Sequence, residues 1–217
     1  MVEIVYQGVQ QMLIFTQELE DEDLIFNYQS RISPMRDNGS EAESFINSST
    51  KKAGVLLLVY PKKGDYYIAL TQRHNYEGAH SGQISLPGGK LDQHDNNLLE
   101  CSLRETLEEI GVPVNKTQVT RKMKSIYIPP SNFYVQPFLA ILDVTPKFDL
   151  EKREVKELIE INIQDLDNKN VQTSDIQISE SNNITVPIYN INDKVIWGAT
   201  ATILAEFHAL LDKFNTS

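Results

Sequence analysis

Two apolar segments joined by a tight turn constrain this chain most. AGVLLLVY (Ala53–Tyr60) reads as a buried strand, Pro61 to Asp65 as a turn, and YYIALTQR (Tyr66–Arg73) as the returning strand, so a β-hairpin is expected. Strand-like runs recur at Ser125 to Ile128, Phe133 to Leu142 and Leu158 to Ile163, and again near Ile176 to Ile178, Ile184 to Tyr189 and Val195 to Trp197. Two helical patterns punctuate them. One covers about Asn97 to Ile110 and stops at Gly111, a natural residue just past a helix end. The other covers Ala199 to Phe214, with Ile203, Leu204, Phe207, Leu210 and Leu211 on one stripe. Strands interspersed with two helices predict an α/β sandwich with a mixed β-sheet. Glu151 to Leu158 is too short and charged to assign.

The chain has 217 residues, 41% hydrophobic and 23% charged, which favours one elaborated domain. Residues 1–50 read as a helical or irregular amino-terminal extension, and residues 51–217 as the folded domain. No apolar run approaches the roughly 20 residues of a membrane span, and Glu3 stands where a secretory signal carries basic residues, so a cytoplasmic protein with no membrane partner is expected. The single Cys101 agrees, since it can form no intrachain disulfide. A formal charge of -10 argues against binding nucleic acid through its backbone. It leaves room for a small phosphorylated substrate, because clustered carboxylates recruit divalent cations that invert the local charge.

Such a cluster lies in RETLEEIG, the last part of the first helix. With Arg104 at zero and 100° per residue, Glu105, Glu108 and Glu109 fall at about 100°, 40° and 140°. Leu99, Leu103, Leu107 and Ile110 fall at roughly 220° to 300°, so carboxylates and core are expected on opposite faces. Glu105 and Glu109 are one turn apart, close enough to share a cation or bracket two. Like charges so placed repel, which makes a counter-cation a natural companion. All-oxygen ligands suit Mg²⁺ or Mn²⁺, and no set of Cys and His argues for zinc. An acidic helix face turned to water is the bland alternative.

The segment GGKLDQHDNNLLECSLRETLEEIGV resembles the signature box of the Nudix hydrolases, G-x5-E-x7-R-E-U-x-E-E-x-G-U with U apolar. Gly89, Arg104, Glu105, Glu108, Glu109, Gly111 and Val112 match. Asp95 stands at the first acidic position with the intervening loop one residue longer, and Thr106 occupies an apolar position. The longer loop, and the upstream stretch LTQRHNYEGAHSGQISLPGG, resemble the coenzyme A pyrophosphatase branch, as do PPSNFYVQPF, EVKELIEINI and IWGATA. His74, Ile84 and Leu86 depart from that branch's upstream motif.

The resemblance implies a Nudix-like α/β/α sandwich that hydrolyses a diphosphate bond. The implied substrate is coenzyme A or its thioesters, and the implied products are a 4′-phosphopantetheine compound and adenosine 3′,5′-bisphosphate. ADP-ribose, dinucleotide polyphosphates and nucleoside triphosphates are alternative substrates, and a non-catalytic nucleotide-binding module is the alternative from another class. By the same resemblance, Arg104, Glu105, Glu108 and Glu109 form the catalytic set. Glu105, Glu108, Glu109 and the Gly88 carbonyl hold Mg²⁺ or Mn²⁺, with Glu105 and Glu109 both open as the base. Arg73, His80, Lys90 and Asn132 are the candidate contacts to substrate, Glu154 and Glu157 read as a solvated pair with a late carboxylate of the site as the alternative, and a homodimer is compatible with the family.

Overall fold

A computed structural model describes residues 42–74, 82–167, 170–179 and 182–216. His80 and the apolar and acidic patterns of residues 1–41 lie outside these residues.

The expected hairpin is β1 (Lys51–Lys62) with β2 (Asp65–Arg73), and β1 forms the middle of the fold. Lys63 and Gly64 make the turn, both at positive φ. β1 pairs antiparallel with β2 and with β4 (Gly88–Lys90), and from Lys51 to Val59 parallel with β7 (Phe133–Ile141). Around them run β3 (Ile84–Ser85) and β8 (Val155–Asn162) on β2, and β5 (Val119–Lys122) and β6 (Ile126–Ile128) on β7. The result is an eight-stranded mixed sheet. A separate antiparallel sheet joins β9 (Val171–Ser179), β10 (Asn182–Ile191) and β11 (Lys194–Ile196).

Neighbouring residues of β1 serve opposite faces, as strand pleating requires. Leu56, Leu58 and Tyr60 pack with Ile110 of helix α1 (Leu98–Ile110), whereas Leu57 and Val59 pack with Ile203, Leu204 and Phe207 of helix α2 (Gly198–Thr216). That explains the unbroken apolar run of β1, which has a core on each side. The predicted mixed α/β fold is therefore observed, with the sheet between two helices. The unassigned segment around Glu151 to Leu158 splits into a turn and the start of β8.

Residues 42–50 lie against the sheet. The Phe45 ring stacks on Tyr127 at 5.3 Å between centroids, and the Thr50 hydroxyl donates to Asn132 Oδ1 at 3.0 Å. No helix among the described residues is long and apolar enough to cross a membrane.

Candidate active site

The helix that bears the acidic cluster begins where Asn97 accepts the Glu100 N–H at 3.0 Å. It ends at Gly111, whose φ of 70° and N–H bond to the Leu107 carbonyl close the last turn. Between its ends α1 lies directly on the backbone of β1. A Cβ at Gly54 would sit 2.0 Å from the Leu98 carbonyl oxygen, so the strand and helix main chains touch there.

This close approach corrects the expected orientation of α1. The residues buried beneath it are Cys101, Ser102, Thr106, Glu109 and Ile110, with mostly short or polar side chains. Leu99 and Leu103 are half-buried along the flank and Leu107 is 49% exposed, so the leucine stripe is not the core face. Small side chains are needed where the helix axis approaches the sheet, and the bulky ones are displaced sideways. The carboxylates separate accordingly. Glu109 is buried at 3% exposure, Glu105 is partly buried, and Glu108 faces solvent.

Gly88 and Gly89 of β4 lie against the same helix. At Gly88, φ is 147° and a Cβ would fall 2.4 Å from the Gly54 carbonyl oxygen; at Gly89 it would fall 2.4 Å from the carboxyl carbon of Glu105. Only glycine leaves room for both contacts. The Gly88 N–H donates to Glu109 Oε2 at 3.2 Å, and the Cys101 thiol donates to the Gly89 carbonyl at 3.3 Å. Burial pushes the Glu109 carboxyl up to about 7 against the opposing pull of that N–H and of Arg73. Burial raises Glu105 as well, opposed by its hydrogen bond to Arg104.

Arg104 joins the loop to the helix. Its Nε and Nη2 donate to the two oxygens of Asp95 at 2.9 and 2.8 Å, and its Nη1 reaches Glu105 at 2.9 Å and Glu108 at 2.8 Å. Hydrogen bonds from Arg104 hold the Asp95 carboxyl down at about 2. The shorter acid on the longer loop thus still meets the arginine.

Arg73, at the end of β2, places Nη2 3.5 Å from Glu109 Oε1. Lys90 ends β4 and is exposed. Asn132 sits at the start of β7 with its amide engaged: it accepts from Thr50 and Tyr127 and donates to Ser49, which fastens residues 47–50 to the sheet. Glu157 pairs with Lys194 at 2.7 Å.

Glu154 stands apart from Glu157. Its turn is bolted to the end of α1, with the Glu151 N–H donating to the Glu109 carbonyl at 3.0 Å and the Asp149 N–H to the Ile110 carbonyl at 2.9 Å. The adjoining Val155 pairs with Arg73, so the turn connects the end of α1 to the strand beside Arg73. The negative charge of Glu154 adds to the burial that chiefly raises Glu105 and Glu109. Sequence spacing carries no signal of this, because the placement comes from main-chain hydrogen bonds.

Residues 50–180, more than half of the chain, match the NUDIX domain as a protein family. The chain belongs to the Nudix family. Nudix proteins are hydrolases of phosphoric anhydrides, generally dependent on divalent metals such as Mg²⁺ or Mn²⁺. The chain is 28% identical over 172 residues to the uncharacterized Nudix hydrolase NudL of Yersinia pestis (strain Pestoides F), covering 79% of this chain and 85% of the relative. The NudL of Yersinia pseudotuberculosis serotype O:1b matches to the same extent. In fold the chain is similar to a MutT/nudix family protein from Enterococcus faecalis, with a TM-score of 0.53 and 16% identity over 89% of this chain and 75% of that one.

The Nudix carboxylates fit a hard divalent cation. They offer only oxygen donors, Glu109 is a buried acid whose charge is poorly solvated, and Gly89 leaves a side-chain-sized space that the Glu105 carboxylate fills. Among the described residues no three acidic, His or Cys side chains already form a metal cage. Arg104 Nη1 lies 2.9 Å from Glu105 and 2.8 Å from Glu108.

Proposed function

We propose that this Nudix hydrolase cleaves the diphosphate bond of coenzyme A or its thioesters, giving a 4′-phosphopantetheine compound and adenosine 3′,5′-bisphosphate. What supports the chemistry is the convergence of Glu105, Glu109 and Arg73 on the Gly88–Gly89 turn. What supports the substrate is the resemblance of LTQRHNYEGAHSGQISLPGG and of the lengthened Asp95 loop to the coenzyme A branch.

In this reading Glu105, Glu108 and Glu109, with the Gly88 carbonyl, hold Mg²⁺ or Mn²⁺. A divalent cation bound there would neutralise the diphosphate and make water easier to deprotonate. Arg104 and Asp95 orient Glu105 and Glu108. Arg73 offers a guanidinium to a phosphate oxygen, for which its planar fork is suited. Burial of Glu109 makes its carboxylate a stronger proton acceptor near neutral pH than an ordinary glutamate. Glu105 shares that property in direction.

The test is incubation of the purified protein with coenzyme A and Mg²⁺ or Mn²⁺, with products separated by mass and with ADP-ribose and a nucleoside triphosphate alongside. Release of adenosine 3′,5′-bisphosphate is expected. Cleavage of the comparison compounds alone would remove coenzyme A and keep the Nudix chemistry.

A further inference from the structure

We propose that Lys51, Lys90 and Phe133 form the subsite for the nucleoside half of the substrate, with the two lysines gripping the phosphate on the ribose 3′ oxygen. The proposal rests on the reading of coenzyme A as substrate and deepens it. Three neighbouring strands bring these residues together. Lys90 of β4 ends two residues past Gly88 and faces Ala53 of β1, so it shares a face of the sheet with Lys51, the diagonal neighbour. Lys51 in turn stands opposite Phe133 of β7, with its ammonium 5.3 Å from the ring centroid.

Both lysines are exposed, and among the described residues neither ammonium makes an ion pair or hydrogen bond. The nearest acid along the strand, Asp92, turns its carboxylate into its own loop and accepts the His94 N–H at 3.0 Å. In a chain of net charge -10, two cations that have no carboxylate partner among the described residues, beside the reacting turn, are available to an anion. The ring of Phe133 adds an apolar surface on which a base can lie, next to a cation that such a surface attracts.

The arrangement also suits a ligand carrying two separate phosphate groups. Gly89 turns toward Glu105, while Lys90, the next residue, projects to the other face of the strand. A diphosphate held at Gly88 and Gly89 and a third phosphate held at Lys90 and Lys51 would straddle the edge of β4. ADP-ribose carries no such third phosphate.

The test compares coenzyme A with 3′-dephospho-coenzyme A as substrates for the wild type and for the Lys51→Gln/Lys90→Gln double variant. The wild type should prefer coenzyme A. In the variant KM for coenzyme A should rise about tenfold with kcat retained, as expected when charge-assisted hydrogen bonds to one phosphate are lost. KM for the dephospho compound should stay within about twofold, since that contact was never made. Double replacement by arginine should restore most of the preference. An equal loss on both substrates, or a wild type indifferent to the 3′-phosphate, overturns the subsite while leaving coenzyme A as substrate. Cleavage of neither compound, with ADP-ribose turned over, overturns the substrate reading and the subsite with it.

Discussion

Arg104 grips Asp95 with two parallel hydrogen bonds, Nε to Oδ1 at 2.9 Å and Nη2 to Oδ2 at 2.8 Å. The pair closes the loop between β4 and α1, and the same guanidinium uses its remaining nitrogen on Glu105 and Glu108. Loop closure and carboxylate orientation are therefore one structure.

Asp95→Asn should reveal the worth of this closure through pH. The folded pKa of Asp95, about 2, lies below its ordinary 3.8, so its stabilisation is complete above the ordinary value and disappears as pH falls through about 2. The variant should be less stable at pH 7 by on the order of 2 kcal/mol, and the difference should vanish near pH 2. Denaturant unfolding at several pH values measures it. A constant difference across that range would show that Asp95 acts through packing.

Glu206 gives the opposite sign. It lies fully buried on α2, accepts the Lys124 N–H with both oxygens at 3.0 and 3.2 Å, and is pushed up to about 7, chiefly by burial. A raised acid costs nothing below its ordinary 4.5 and increasingly destabilises the fold as pH rises to about 7. Thermal unfolding should show wild-type stability falling across this interval, and Glu206→Gln should flatten that fall by about 2 kcal/mol at pH 8. Parallel curves for the two proteins would contradict the assignment.

Glu109→Gln keeps the shape of the side chain and its capacity to accept the Gly88 N–H, but removes the charge. The variant should fold and lose roughly a thousandfold in kcat. Turnover within about tenfold of wild type would remove Glu109 from the mechanism.

Glu154→Gln should weaken Mn²⁺ binding several-fold, whereas Glu157→Gln should not, because Glu157 is already paired with Lys194. Calorimetric titration of both variants separates the two carboxylates. Equal effects would mean that only the net charge of this region matters.

Gly54→Ala adds one methyl where the helix main chain is 2.0 Å away. Destabilisation of about 3 kcal/mol is expected, together with loss of activity from moving Glu105 and Glu109 off the Gly88–Gly89 turn. An unchanged melting temperature would show that α1 shifts freely.

Much of this was legible in the sequence. The β1–β2 hairpin, the limits of α1 and the mixed α/β sandwich follow from apolar runs, Asn97 and Gly111, all of which act through local geometry. Glu105, Glu108 and Glu109 were singled out by the resemblance to the Nudix box, their spacing alone leaving an acidic face turned to water open. Their different environments were not legible, because periodicity ranks leucine above cysteine or threonine for burial and says nothing of a glycine on the partner strand. The approach of α1 to Gly54 reverses that ranking and leaves Leu107 outside. The separation of Glu154 from Glu157 and the engaged amide of Asn132 were equally hidden, since each depends on residues distant in the chain.

The parallel pairing of β1 with β7 has a consequence for synthesis on the ribosome. Lys51 meets Phe133 and Val59 meets Ile141, so each residue from Lys51 to Val59 waits for a partner made about 80 residues later. At typical elongation rates that is on the order of ten seconds. During that interval an apolar strand, already joined to β2, presents a bare edge, and Gly54 can receive α1 before the sheet behind it exists. Nascent chains halted before Phe133 should therefore be the aggregation-prone ones. Helix α1 would be docked on a half-built floor, and the carboxylates it carries would reach their final surroundings only after the later strands arrive.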